Sequence, residues 1–426
     1  MRFSLDVLRA RKGDCLMLHY GTRAAPRLML IDGGPSGVYK PSLRPRIERL
    51  RTARHLADDA PLPVDVLMVS HVDDDHLQGL LDLTTELREQ HTNRQPLLLR
   101  VRSLWHNTFD DLLDTTPAEL DAAAGFGVAA LAGRTDVAGD EELDAVKVLA
   151  SIPQGRTLRG DASFLARGTQ TWKINDKFKG RLIIAAGGAK KVTLGSRTAL
   201  TVVGPMQAEL AALQKAHDRW LKDQQKRKTK DPASPLAAFV DTSVSNLSSL
   251  VMVVEAANKR ILLTGDARGD RIIEGLQLAG LLQPGASSTM HVDVMKVPHH
   301  GSANNVDRTF FERITADHYV MSGNGEHGNP ERETLQMLFD ARGTAPFVVH
   351  FTYPLDEIDA GRKIDWAKER AKEKKKGKRP RPDWSPRAHA LRTFFAGRRL
   401  ATGQRIAEIA TDTEPHVIDL LDPLGI

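Results

Sequence analysis

Residues 71–76 read His71-Val72-Asp73-Asp74-Asp75-His76, two histidines and three carboxylates within six positions. The apolar run 64–70 (VDVLMVS) comes directly before them and reads as a buried strand. Leu77-Gln78-Gly79-Leu80-Leu81 follows and opens a helix. A solvated acidic helix start would explain the aspartates, because negative charge suits the positive end of the dipole. It would not explain histidines on both sides of them. Imidazole and carboxylate groups crowded at the end of a strand are the donor set of a divalent cation.

Four more apolar stretches end on polar residues. They are Asp32 in LIDGG, Asp266 in LLTGD, His299-His300 in KVPHHGS, and 322–327 in MSGNGEH. Open α/β sheets place their sites at strand ends, so these segments are candidates to converge with 71–76. Singly, each has an ordinary structural use. Asp266 would serve as a helix cap, and a lone histidine after a strand is more often structural.

Around these points the chain alternates strands and helices. A hairpin is expected over 1–34, a basic amphipathic helix over 41–57 and a strand over 97–107. Mostly helical sequence fills 110–165, three strands (TWKIN, RLIIAA, ALTVVGP) follow, and a charged helix spans 207–230. A hairpin over 246–266 precedes further strands in VDVMKV, HYVMSG and PFVVHFTYP, and the chain closes on a helix in RAHALRTFFA and a strand in HVIDLLD. This alternation fits layered sheets with helices outside.

The pattern HxDxDH, an Asn-x-x-Ser-Leu-Val strand beginning at Asn246, then LTGD and HHGS resembles the metallo-β-lactamase superfamily. It is most similar to the branch typified by the nuclease domain of the DNA-uptake protein ComEC. The resemblance covers roughly residues 1–350. It implies an α/β fold, an αββα sandwich forming a single domain over 1–426, with helical and basic-loop insertions at approximately 108–170, 206–240 and 355–392. It also implies metal ligands: His71 and Asp73 at a first cation position, Asp75 and His76 at a second, Asp266 bridging, and one of His299 and His300 completing the second. Asp73 stands where the zinc hydrolases of this superfamily carry a histidine. A hard oxygen donor there favours manganese or magnesium beside zinc, with one or two cations bound. The third protein ligand of the first position is left open.

The expected activity is metal-dependent hydrolysis, a phosphodiesterase or nuclease cutting DNA or RNA with a metal-activated hydroxide. Asp75 and His327 are the catalytic candidates, His327 as a proton donor to the leaving oxygen. Substrate contacts are assigned to His106, Asn107, Ser302, Asn304 and the lysines Lys374, Lys375 and Lys376. Asp32 is expected to orient a ligand histidine from behind. A small-molecule hydrolase (cyclic nucleotide, lactone or thioester) and a non-catalytic binding module are the alternatives.

Composition bears on partners and compartment. The 426 residues carry a formal charge of +6, and 362–387 holds twelve Lys or Arg against four acidic residues. KRKTK at 226–230 is a smaller basic cluster. Such runs are either solvated, mobile loops or phosphate contacts. No run of 18 apolar residues exists, the N-terminus has no leader-like stretch, and Cys15 is the single cysteine. No membrane span and a cytoplasmic location are therefore expected. Lys-rich insertions at 222–235 and 362–387 are also expected protease sites. Their cleavage would uncover the site, which would suit a toxic nuclease in bacterial defence against phage.

Overall fold

A computed structural model describes residues 1–108, 140–188, 190–211 and 248–426. Strands β1 (Arg2–Val7), β2 (Leu16–Gly21), β3 (Pro26–Ile31), β4 (Leu62–Met68), β5 (Leu99–Trp105), β6 (Lys173–Ile174) and β15 (Val417–Asp419) form one sheet, in the order β15-β1-β2-β3-β4-β5-β6. The second sheet runs β14-β13-β12-β11-β10-β9-β8-β7. It is built from β7 (Lys191–Gly195), β8 (Thr198–Gly204), β9 (Val251–Ala256), β10 (Lys259–Leu263), β11 (Met290–Lys296), β12 (Ile314–Met321), β13 (Phe347–Phe351) and β14 (Gln404–Glu408).

Three apolar layers hold these sheets. Phe3, Leu5, Leu18, Ile31 and Met68 of the first sheet meet Met252, Val254, Leu263, Val294 and Val320 of the second. Helices α1 (Arg44–Ala53), α2 (Asp74–Thr92) and α3 (Asp140–Leu165) cover the outer face of the first sheet through Ile47, Leu50, Leu77, Leu80 and Leu158. Helices α4 (Gly269–Leu278), α5 (Arg308–Arg313), α6 (Arg332–Arg342), α7 (Leu355–Lys375), α8 (Pro386–His389) and α9 (Leu391–Ala396) lie in the second half of the chain. All of these except α8 send buried side chains to the outer face of the second sheet, among them Ile272, Phe310, Leu338, Ile358 and Leu391. The layers are α, β, β, α, which is the sandwich expected above.

Strand direction places the site. Strands β3, β4 and β5 run parallel, and so do β10, β11 and β12. The turns that follow β3, β4, β10, β11 and β12 therefore open at shared ends of their sheets. Backbone Leu250 N–H donates to the Ser70 carbonyl at 2.7 Å, joining the two sheets at this end.

Several local expectations are corrected. The 181–186 segment (RLIIAA) forms no strand, whereas Lys191–Gly195 and Gln404–Glu408 do. The basic-loop insertion expected at 355–392 is not a loop. Most of it is helix α7, which buries Leu355 and Ile358. The chain after α7 folds back on the helix. Trp366 Nε1 donates to the Pro382 carbonyl at 2.9 Å, Arg381 pairs with Glu373 at 2.9 Å, and the Trp366 ring lies 4.2 Å from that of His389. An amphipathic start and these return contacts outweigh lysine repulsion along the helix. The 226–230 cluster, most of the charged helix and the start of the Asn246 strand lie outside the described residues.

Candidate metal centre

The site begins with a close approach of two backbones. A Cβ on Gly79 would stand 1.9 Å from the Gly33 carbonyl oxygen, so only glycine lets the start of α2 press onto the end of β3. Gly33 N–H then donates to the His76 carbonyl at 2.7 Å. This seats the His76 side chain beside Asp32, with Nδ1 2.8 Å from Asp32 Oδ2. Ser70 secures the same carboxylate, donating its backbone N–H to Oδ1 and its hydroxyl to Oδ2, each at 2.7 Å. Asp32 thus stands behind His76, against its Nδ1. A second close approach sits next to it. A Cβ on Gly13 would lie 1.8 Å from the Asp75 carbonyl oxygen, which brings the β1–β2 loop into the site.

With Nδ1 of His76 committed to Asp32, Nε2 points at Asp266. Four imidazole Nε2 atoms converge on Asp266 Oδ2: His300 at 3.4 Å, His76 at 3.5 Å, His299 at 3.7 Å and His71 at 3.8 Å. Among the described residues, Nε2 of His71, His76 and His300 are buried and have no hydrogen-bond partner. Buried nitrogens of this kind are costly unless something satisfies them. The spacing suits a cation, since two donors about 2.0–2.1 Å from one tetrahedral ion stand roughly 3.3 Å apart. Asp73 Oδ2 lies 3.7 Å from His71 Nε2, and Asp75 Oδ1 lies 3.9 Å from His76 Nε2. Among the described residues, the groups able to share one ion are His71 with His76 and Asp266, Asp75 with His76 and His300, Asp14 with Asp32 and His76, and Asp14 with Asp266 and His300. The donor set fits one or two divalent ions.

Two adjacent residues in left-handed backbone, His299 (φ 47°) and His300 (φ 55°), split the roles of the histidine pair. Such strain clusters at functional sites. The His300 side chain is buried, with Nδ1 2.9 Å from Ser322 Oγ, and it joins the shared groups. The His299 ring is 33% exposed and rests Nδ1 against Asn305 Oδ1 at 2.9 Å. The buried member of the pair, and the one within the shared groups, is therefore His300.

Charge around Asp266 follows from this crowding. Burial opposes ionisation of Asp266, yet His300, His299, His76 and Lys296 hold it well below the usual carboxylate range. Burial likewise opposes protonation of His76, but Asp266 and Asp32 raise it well above an ordinary histidine. His300 is pushed up to about 9, with Asp266 and Asp14 overcoming burial and the Lys296 charge. Burial raises Asp73, and Asp75 adds to that.

Two residues of the centre escape sequence reasoning. Asp14 and Lys296 are both buried, and Lys296 Nζ lies 2.5 Å from Asp14 Oδ2 and 3.5 Å from Asp266 Oδ1. Burial works against the charge on each, but their mutual attraction lowers Asp14 and raises Lys296. The one legible signal was a lysine inside the otherwise buried run VDVMKV. Ser70 and Asn305 were also missed.

Other expected residues fall elsewhere. His106 is buried, joins none of the shared groups, and burial takes it down to about 3. Asn107 spends its amide on the backbone of Ile183, donating at 2.8 Å and accepting at 2.9 Å, so it is a structural clamp. Ser302 turns to Glu331 at 3.3 Å, and Asn304 is exposed. Its neighbour Asn305 touches the site instead, donating to the Asp266 carbonyl at 3.1 Å. His327 is exposed on a turn at Glu326–Gly328, whose Glu326 pairs with Arg11 at 2.9 Å. Helix α7 packs on that turn, with Arg362 Nε donating to the Gly328 carbonyl at 3.0 Å. Lys374, Lys375 and Lys376 are exposed at the other end of α7, roughly 18 Å further along the axis at about 1.5 Å per residue. Among the described residues no helix is long and apolar enough to cross a membrane, and Cys15 is buried and free.

No family model matches the chain. Microtubule-associated protein 1A is similar over a short stretch. The Rattus norvegicus protein is 36% identical over 59 residues, 14% of this chain and 2% of that protein. The Mus musculus protein is 37% identical over 54 residues, 12% and 2% respectively. The chain thus spans about 2% of the length of the curated relatives it matches. Among solved structures, the metallo-beta-lactamase fold protein YhfI from Bacillus subtilis aligns over 98% of this chain and 100% of its own, at 8% identity and a TM-score of 0.37. Unliganded yeast PDE1 aligns over 96% and 98%, at 12% identity and a TM-score of 0.35. Zn(2+)-bound PqqB from Methylobacterium extorquens aligns over 95% and 87%, at 11% identity and a TM-score of 0.30.

Proposed function

We propose that this chain is a divalent-metal-dependent hydrolase acting on phosphodiesters, with DNA or RNA as the favoured substrate. The convergence of four imidazole Nε2 atoms on Asp266 Oδ2, three of them buried and unpartnered among the described residues, carries this reading. A bound zinc or manganese ion would supply Lewis acidity and a water of lowered pKa. His71 and Asp266 would hold one ion, with Asp73 beside His71 as a further oxygen donor, and Asp75, His76, His300 and Asp266 would hold the other. Asp73 and Asp75 bring the oxygen donors that admit manganese or magnesium. Asp32 and Ser322 fix the ring orientations through Nδ1 of His76 and His300. His299, with its ring 33% exposed beside Asp266, grips an anionic substrate oxygen, and His327, on its exposed turn, protonates the leaving oxygen.

The exposed lysines of α7 support a polyanionic substrate, because the helix stands on the turn that carries His327. Their separation from the metal centre favours a second reading, a hydrolase of small phosphodiesters, lactones or thioesters in which those lysines play no part. The deciding experiment is metal analysis of the purified protein followed by plasmid nicking, RNA cleavage and bis(p-nitrophenyl) phosphate hydrolysis with added Mn2+. Nicking or RNA cleavage that stops with a chelator is expected. Hydrolysis of the small ester alone would select the second reading, and absence of both metal and hydrolysis would leave a binding module.

A further inference from the structure

Lys296 ends β11 with its side chain buried under the metal centre, only 1% exposed. The ammonium has three acceptors for its three protons: Asp14 Oδ2 at 2.5 Å, the Gly265 carbonyl at 3.0 Å and Asp266 Oδ1 at 3.5 Å. Asp14 is equally committed. Its other oxygen accepts the Ser322 hydroxyl at 2.5 Å and lies 3.4 Å from His300 Nδ1. Asp14 enters from the loop before β2 in one sheet, and Lys296 belongs to the other, so the pair is fixed from both sides. The two oxygens of Asp266 consequently face different groups. Oδ1 is turned to the ammonium, and Oδ2 to the four imidazole nitrogens.

We propose that Lys296 is a positioning residue and built-in counter-cation: held by Asp14, it occupies Asp266 Oδ1, leaves Oδ2 alone for divalent ions, and offsets the carboxylates when none is bound. The proposal rests on the metal-hydrolase reading above. A unit charge 3.5 Å from a carboxylate that would hold the ion, shielded from water, would weaken ion binding and stabilise the ion-free protein. Removing it exposes both Asp266 oxygens and leaves Asp14 as an extra negative charge. Ion affinity should rise while the geometry needed for turnover is lost.

The test uses the full chain, stripped with a chelator, with Mn2+ alone as the titrant and thermal unfolding as the readout. For Lys296→Met we expect a lower melting temperature without metal, a larger Mn2+-induced rise than in the wild type, and roughly fivefold tighter Mn2+ binding. At saturating Mn2+ its kcat on bis(p-nitrophenyl) phosphate should fall at least tenfold. In the Co2+-substituted protein its visible bands should weaken as Asp266 gains a second metal-facing oxygen, and Lys296→Arg should keep the wild-type bands. If Lys296→Met does not fold, Asp14→Asn combined with Lys296→Met removes the pair as a neutral unit, and the loss of kcat and the band change should persist. An Mn2+-induced rise in Lys296→Met no larger than in the wild type, or unchanged Co2+ bands in the variant that folds, would overturn the proposal. Absence of any Mn2+ effect on the wild type would instead overturn the metal reading, and this inference with it.

Discussion

Asp32 Oδ2 lies 2.8 Å from His76 Nδ1, and that contact decides which nitrogen of His76 faces Asp266. A carboxylate behind a ligand imidazole fixes its tautomer and raises its basicity. Asp32→Asn keeps the size of the side chain but loses the charge. Its metal affinity should fall by about 10- to 100-fold, read by competition with a chromogenic chelator. Wild-type affinity in this variant would remove Asp32 from the centre.

The histidine pair offers a sharper contrast. His300 is buried within the shared groups, whereas the His299 ring is 33% exposed. After dialysis, His300→Ala should lose at least half of the wild-type metal content by mass spectrometry. His299→Ala should retain its metal and show a raised KM. Equal metal loss in both would mean that His299 is also a ligand.

Acid sensitivity should come from a second histidine array. His350 Nε2 stands 2.9 Å from His318 Nδ1, and His350 Nδ1 stands 2.7 Å from His416 Nε2. Burial lowers all three, and His350 goes to about 2 with His416, His318 and Arg405 adding to the effect. Asp317, Asp293 and Lys259 also face His318, while Asp6, Glu414 and Arg46 face His416. A histidine depressed in the folded state is protonated first in the unfolded chain, whose value is about 6.5. Its stabilisation is therefore whole above about pH 6.5 and is lost as pH falls toward the folded value. For His350 alone the loss by pH 5 is about 2 kcal/mol. Denaturant unfolding at pH 7 and pH 5 should show this loss, and His350→Gln should show less of it. An identical pH dependence in the variant would contradict the assignment.

The lysine triplet tests the nature of the substrate. Changing Lys374, Lys375 and Lys376 together to Ala should leave bis(p-nitrophenyl) phosphate hydrolysis unchanged. Apparent affinity for DNA or RNA should weaken, and its logarithmic salt dependence should become shallower by up to about 2–3 units. An unchanged salt slope would assign the triplet to solvent.

Much of the arrangement was legible because burial leaves a period in the sequence. The apolar run 64–70 turning abruptly to His71–His76 located a strand end and its cluster of donor side chains, and LLTGD and KVPHHGS did the same on the second sheet. The basic segment was misread because lysine density hides the Leu355 and Ile358 contacts that keep α7 helical and docked. Asn305 went unnoticed beside Asn304 because neighbouring residues of one type differ only in which way the turn points them.

By itself the chain determined the two-sheet layering and the donor types, since apolar spacing and side-chain chemistry are local properties. Folding alone decided that His300 and not His299 is buried within the shared groups, that Asp32 stands against His76, and that Asp14 reaches Lys296 across 282 positions (296 minus 14). Those pairings depend on where two sheets meet. A charge finds its partner through space, and no spacing along a chain records that distance.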